Sequence, residues 1–204
     1  MNDPRLHWDE IYHLKSETEV SWFQEAPEQS LALISRAALQ GEASVIDIGG
    51  GASRLADVLL RSGYGDLAVL DVSEAALART KTRLGTNADR VRWIAADITK
   101  WRPDRKWQIW HDRAVFHFLT DTTRQDAYIS ALSHATEPGA TAIIATFALN
   151  GPERCSGFPV QRYSSETLAT RLGPRFRLVD QHLESHITPN GAVQQFQYAV
   201  LLRI

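Results

Sequence analysis

Val45-Ile46-Asp47-Ile48-Gly49-Gly50-Gly51-Ala52-Ser53-Arg54 is the stretch that decides how this chain folds. A short apolar run stops at three consecutive glycines, which is the pattern of a buried strand followed by a tight turn. Arg54 to Arg61 then carries helical spacing through Leu55, Val58 and Leu59. Strand, glycine turn and helix in this order bring backbone N–H groups to a helix start. Glycine there lets a ligand approach the backbone closely, and the helix end favours polar or anionic groups. Such a turn can also be purely steric, so the rest of the chain must add weight.

Working outward, the same rhythm repeats. Leu67 to Leu70 reads as a strand ending at Asp71, and Ser73 is placed to cap a helix over Glu74 to Leu84. Val91 to Ala95 is a third strand stopped at Asp97, and Lys106 to Trp110 a fourth. Thr120 or Asp121 caps a helix to about His134, the Pro138-Gly139 turn follows, and Ala140 to Phe147 is a long apolar strand. Upstream, Gln29 to Gln40 has one apolar helical face and ends at Gly41. Strands alternating with helices imply parallel βαβ units. Ser164 or Ser165 opens a last helix to Leu172. Arg175 to Glu184 and Val193 to Arg203 look extended around Thr188-Pro189-Asn190-Gly191, a hairpin signal. The expected fold is α/β, a Rossmann-like three-layer sandwich whose mostly parallel sheet ends in an antiparallel hairpin. No linker divides it. The chain reads as one domain, 1–204, with an aromatic N-terminal segment, 1–28, ahead of the core, 29–204.

With 204 residues, 44% hydrophobic and 23% charged, the chain can bury a full core. Its net charge is −2, and its most basic stretch, Lys100 to Arg113, is interleaved with Asp104 and Asp112. That balance argues against a nucleic-acid or membrane-surface partner. The single cysteine, Cys155, forms no internal disulfide and no cysteine-cluster metal site. A polar N-terminus and no long apolar run complete the expectation of a cytoplasmic protein without a metal.

Three successive strands end at or beside an aspartate: Asp47, Asp71 and Asp97. Ligands of open α/β sheets bind outside the carboxyl ends of the strands, near the point where strand order reverses. Asp71 is placed to accept both hydroxyls of a ribose, and Asp97 with the backbone of Ile98 to face an adenine. Any one of these acids could be a helix cap or a loop residue. Three in series are harder to assign to chance.

Asp47-x-Gly49-x-Gly51, the strand-terminal Asp71 and Ala96-Asp97-Ile98 resemble the successive motifs of class I S-adenosylmethionine-dependent methyltransferases. The resemblance covers about Gln29 to Ile204 and is most specific over Val45 to Leu119. It implies a seven-stranded sheet with its last strand antiparallel, S-adenosylmethionine as cofactor and S-adenosylhomocysteine as product. By the same resemblance Asp47, Gly49 and Gly51 line the amino-acid end of the cofactor, Asp71 with Val72 the ribose, and Asp97 with Ile98 the adenine. Trp8-x-x-x-Tyr12 with Ser21-Trp22-Phe23-Gln24 is similar to openings of two branches, the thiopurine and thiol methyltransferases and the lysine methyltransferases of elongation factor or citrate synthase. In such enzymes the segment folds over the cofactor, so Trp22 is expected to close over it. The aromatics can equally pack a helix on the core, and both roles are compatible.

In this family the segment after the fourth strand, His111 to Phe118, faces the transferable methyl. Methyl transfer from a sulfonium is an in-line displacement dominated by positioning. A neutral acceptor can also need a proton acceptor, and His111, Asp112 and His117 are candidates. Asp112 ranks first and is also expected to touch cofactor; His117, between Phe116 and Phe118, can be a core histidine. The loop Asn150 to Tyr163 offers Cys155, Arg162 and Tyr163 for the acceptor, or is an ordinary surface loop. The Pro-Pro motif of amino-methylating nucleic-acid enzymes is absent, because no proline lies between Pro103 and Pro138. A nicotinamide dehydrogenase is disfavoured because Gly51 is followed by Ala52-Ser53-Arg54, without the third glycine. A small-molecule acceptor is expected ahead of a protein lysine, since the short chain carries no extra docking domain. A non-catalytic S-adenosylmethionine-binding protein remains the third reading. The acceptor and the oligomeric state are left open.

Overall fold

The computed structural model describes residues 4–38 and 43–204. The expected end of the second helix, Gln40 and Gly41, lies outside them. In chain order the elements are α1 (Pro4–Leu14), α2 (Glu28–Ala37), β1 (Val45–Ile48), α3 (Leu55–Arg61), β2 (Leu67–Asp71), α4 (Glu74–Leu84), β3 (Val91–Ala95) and β4 (Ile109–Arg113). There follow α5 (Thr122–Ala135), β5 (Thr141–Phe147), β6 (Arg154–Cys155), β7 (Phe158–Pro159), α6 (Ser165–Leu172), β8 (Phe176–Ile187) and β9 (Val193–Arg203).

Seven strands form one sheet in the order β3-β2-β1-β4-β5-β9-β8. β1 to β5 pair in parallel, and β9 runs antiparallel to both β5 and β8. The final strand is therefore inserted inside the sheet, and β8 forms the edge. Strand alternation separates two cores. Val45, Val69, Ile109, Ile143 and Tyr198 pack under α2, α3 and α4. Ile46, Leu70, Trp110, Ile144 and Leu201 pack under α5 and α6. The result is the expected helix–sheet–helix sandwich.

Local sequence sets the element ends. Ser73 Oγ accepts from Ala76 N to cap α4, Asp121 accepts from Arg124 N to cap α5, and Ser164 accepts from Thr167 N to cap α6. The fourth strand is a correction. It runs from Ile109 to Arg113 rather than from Lys106 to Trp110, because its partners begin only at Val45 and Thr141. His111, Asp112 and Arg113 are thus strand residues, not loop. The segment expected as a plain loop between Asn150 and Tyr163 contains the two-residue strands β6 and β7. Among the described residues no helix is long and apolar enough to cross a membrane.

Candidate active site

Chain order reverses between β1 and β4, which puts the crevice outside their carboxyl ends. A cavity opens there. Its sheet side is walled by Ile48, Gly49, Asp71, Val72, Asp97 and Ile98. Also lining it are Trp8, Tyr12, Trp22, Arg113, Phe118 and Phe196, with Cys155 and Gln194. A second recess shares Tyr12, Trp22, Gly49 and Arg113 with the first and adds Asp47, Gly50, Ser30, Arg54 and His111.

The glycines are there because side chains would not fit. Gly49 has φ +68°, and a Cβ on it would lie 2.1 Å from Val115 Cγ2. A Cβ on Gly50 would lie 2.3 Å from Asp47 Oδ2, and one on Gly51 2.5 Å from Asp71 Oδ2. The turn is thereby packed between two acids. Gly51 lines neither recess; it sits behind Asp71 and against Ala76, where Thr80 Oγ1 donates to its carbonyl at 2.7 Å.

Asp71 is buried, and Ser73 N donates to its Oδ1 at 2.8 Å. Burial raises its carboxyl from 3.8 to about 7, with Asp47 and Asp9 adding like charge and the Ser73 and Gly51 amides opposing the rise. Asp97 Oδ1 accepts from Thr99 N at 2.9 Å and Thr99 Oγ1 at 2.7 Å, and Asp97 and Ile98 both line the cavity. Asp47 Oδ1 lies 2.7 Å from His111 Nδ1.

Strand tips, glycine turn and reversal are those of a known architecture, and comparison with known proteins agrees. Residues 45–139 match the family model of the methyltransferase domain. The protein solved in connection with conversion of a disulfide bond into a thioacetal during echinomycin biosynthesis superposes with TM-score 0.77 and 20% identity, over 98% of this chain and 92% of that one. The 1,6-didemethyltoxoflavin-N1-methyltransferase of Burkholderia thailandensis, solved with 1,6-didemethyltoxoflavin and S-adenosylhomocysteine, gives TM-score 0.76 and 20% identity over 98% and 86%. The fold is that of the S-adenosylmethionine-dependent methyltransferases. An eEF1A lysine and N-terminal methyltransferase of Mus musculus is 26% identical over 117 residues, 56% of this chain; the chain spans only 16% of that relative.

Within this methyltransferase fold, the residues expected from sequence separate into two groups. Trp22, Asp47, Gly49, Asp71, Val72, Asp97, Ile98 and Cys155 stand on the two recesses. Asp112, His117, Arg162 and Tyr163 do not. Asp112 is fully buried and turned toward α5: its carboxylate accepts from Val115 N at 2.8 Å, Phe116 N at 3.1 Å and Tyr128 Oη at 2.6 Å. Burial raises it to about 6 against the pull of those donors. His117 is packed between Phe118 and Phe147, and burial, with Arg113 nearby, lowers it to about 3, so its ring is neutral. Arg162 donates to Gly151 O at 3.1 Å and pairs with Glu153 at 2.9 Å, which knots the loop. Tyr163 packs on Phe116 and accepts from Gln125 Nε2 at 3.1 Å. Cys155 is on the wall, but burial pushes its thiol up to about 11, so it stays protonated.

Three residues absent from the sequence-based site are prominent here. Arg113 lies between the recesses, with Nε 3.2 Å from Tyr198 Oη, Nη2 3.6 Å from Glu184 and its guanidinium 4.3 Å from the Phe196 ring centroid. Its signal was strand alternation: once β4 reaches Arg113, His111 and Arg113 share the Asp47 face and Asp112 takes the other. Gln194 and Phe196 come from β9, more than 140 residues from the glycine turn by position, and no local signal marks them.

The N-terminal segment contributes Trp8, Tyr12 and Trp22 to the walls of the crevice. Trp8 makes edge contacts with Trp22 at 5.5 Å and Phe118 at 5.3 Å, and Trp22 Nε1 donates to Tyr12 Oη at 3.2 Å. Asp9 Oδ1 accepts from Ser73 Oγ at 2.6 Å, bringing α1 onto the start of α4. Glu17 pairs with Arg54 at 2.9 Å and also with Arg83, which holds Asp57 at 2.9 Å. Gln24 donates to Glu184 Oε1 at 2.8 Å. Among the described residues no group of three or more His, Cys, Asp and Glu is arranged to hold a metal ion.

Proposed function

We propose that the protein transfers a methyl group from S-adenosylmethionine to a nucleophilic atom of a small molecule, with residues 1–28 serving as the cover of a single domain, 1–204. One observation carries the reading: the tips of β1, β2 and β3 bring Gly49, Asp71, Asp97 and Ile98 onto one cavity that is also lined by Trp8, Tyr12, Trp22 and Phe118. The residues present fit the cofactor. Glycine at 49 lets the turn close against Val115 at the cavity wall, and Asp71 offers a buried carboxylate for a diol. Asp97 and Ile98 edge the adenine end, and Asp47 in the second recess the amino-acid end. When bound, S-adenosylmethionine supplies an electrophilic methyl on a sulfonium.

What this chain adds is orientation and exclusion of water. Trp8, Trp22 and Phe118 offer faces and edges suited to a planar or cationic guest. The same aromatics, half-buried and gathered around Trp8 of α1, favour a small acceptor over a protein chain. No histidine lines the larger cavity, and Cys155 and Asp112 are not placed to take a proton. The likeness to the Mus musculus lysine methyltransferase supports a protein acceptor as the second reading.

The test is calorimetric titration with S-adenosylhomocysteine, with NADH as control, followed by an acceptor screen beginning with thiols, N-heterocycles and lysine-bearing proteins. Binding of S-adenosylhomocysteine alone and methylation of a small molecule support the proposal. Binding without turnover of any acceptor supports a non-catalytic binder instead. Binding of NADH only overturns both.

A further inference from the structure

Asp47 and His111 are direct partners in the parallel register of β1 and β4, so their side chains leave the same face of the sheet. His111 Nδ1 is 2.7 Å from Asp47 Oδ1, and its Nε2 is 2.9 Å from Ser30 Oγ on α2. All three are buried, with exposures of 1% for Ser30, 2% for His111 and 3% for Asp47, and all three line the second recess. A carboxylate only accepts, so Nδ1 donates to Asp47, and Nε2 shares its hydrogen bond with the Ser30 hydroxyl. Both ring nitrogens are committed, which leaves none to touch a substrate. The other carboxylate oxygen, Oδ2, is pressed against Gly50, where a Cβ would come within 2.3 Å. Asp47 is therefore held on both sides, and the histidine is the element that fixes its rotation.

We propose that His111, anchored by Ser30, is a positioning residue that aims Asp47 at the amino-acid end of the cofactor. The proposal rests on the reading of the second recess as that end's pocket. It assigns to one histidine a selective role: the amino-acid moiety, and not the nucleoside, depends on it. The structural basis is placement, since Asp71 and Asp97, on the nucleoside side, make no hydrogen bond to His111.

The experiment compares S-adenosylhomocysteine with 5′-methylthioadenosine, the same nucleoside lacking the amino-acid end. In His111→Leu the former should weaken about tenfold or more while the latter stays within about twofold, the loss expected for one charge-assisted hydrogen bond. His111→Asn, whose Nδ2 can replace Nδ1 as donor to Asp47, should recover much of the affinity, and His111→Leu placed on Asp47→Asn should add little. Should His111→Leu fail to fold, Ser30→Ala reports the same discrimination in a milder form. Unchanged S-adenosylhomocysteine affinity, or equal weakening of both ligands, overturns the inference. Wild-type protein that binds neither ligand overturns the function proposed above, and the inference with it.

Discussion

Burial holds the Asp71 carboxyl at about 7, against 3.8 for an ordinary aspartate, and this gives one residue two measurable consequences. The folded chain holds that proton more tightly than the unfolded chain. The stability this group contributes is thus present below about 4 and is lost as pH rises through about 7. With Asp71 in the proposed ribose role, cofactor binding has the opposite sign, because two hydroxyls need the ionised carboxylate as acceptor. S-adenosylhomocysteine affinity is expected to fall as pH drops below about 7 in the wild type and to be flat in Asp71→Asn. At neutral pH, Asp71→Ala should cost roughly 1.5–3 kcal/mol of binding, the worth of a hydrogen bond to a charged group. Unchanged affinity by calorimetry would sink the ribose assignment. At Gly49, alanine meets both φ +68° and Val115 Cγ2. Gly49→Ala is expected to lose about 1–2 kcal/mol of stability from the backbone conformation alone, read from urea midpoints. Asp47, Gly49, Asp71 and Asp97 were legible in the sequence because strand ends and glycine turns are local. Asp112 stands off the two recesses because β4 continues to Arg113, so that His111 and Arg113 share the Asp47 face and Asp112 takes the other, while His117 lies beyond β4, packed between Phe118 and Phe147.

Between β4 and α5 the chain turns sharply through Ala114, whose φ is +75°, and Phe116–Phe118 form one helical turn. Asp112 stabilises that turn by accepting from two backbone N–H groups and Tyr128. Asp112→Ala is expected to leave buried donors unpaired at about 1–3 kcal/mol each, lowering the denaturation midpoint. An unchanged midpoint with abolished turnover would instead give Asp112 a chemical role. At the start of α4, Ser73 both caps the helix and donates to Asp9 of α1. Ser73→Ala should therefore destabilise by roughly 1 kcal/mol through the lost cap and also loosen α1. Hydrogen exchange of residues in α1 would report the second effect. The pairs of Arg54 and Arg83 with Glu17 are partly buried, with side chains 21–26% exposed. Together with the aromatic contacts of Trp8 and Trp22 they bind the cover at several points.

For the whole molecule, a ligand bound by the folded state alone raises stability by mass action. S-adenosylhomocysteine at a hundred times its Kd should add about 2.7 kcal/mol and raise Tm, while NADH should leave it unchanged. A shift with NADH alone would contradict the methyl-transfer reading. The cover and the sheet meet the same cavity, so the gain should shrink in Trp22→Ala, which removes one wall shared by both recesses.

By itself the sequence determined the fold class, the alternation of strands and helices, the antiparallel ending, and the acids at the tips of β1, β2 and β3. These follow from periodicity, capping and turn chemistry, which act over a few residues. Only the tertiary structure decided which side of β4 faces the crevice, that Arg113, Gln194 and Phe196 reach it, and that Arg162 and Tyr163 are occupied elsewhere. Those outcomes depend on strand register and on packing between segments far apart in the chain, and no local pattern of residues encodes them.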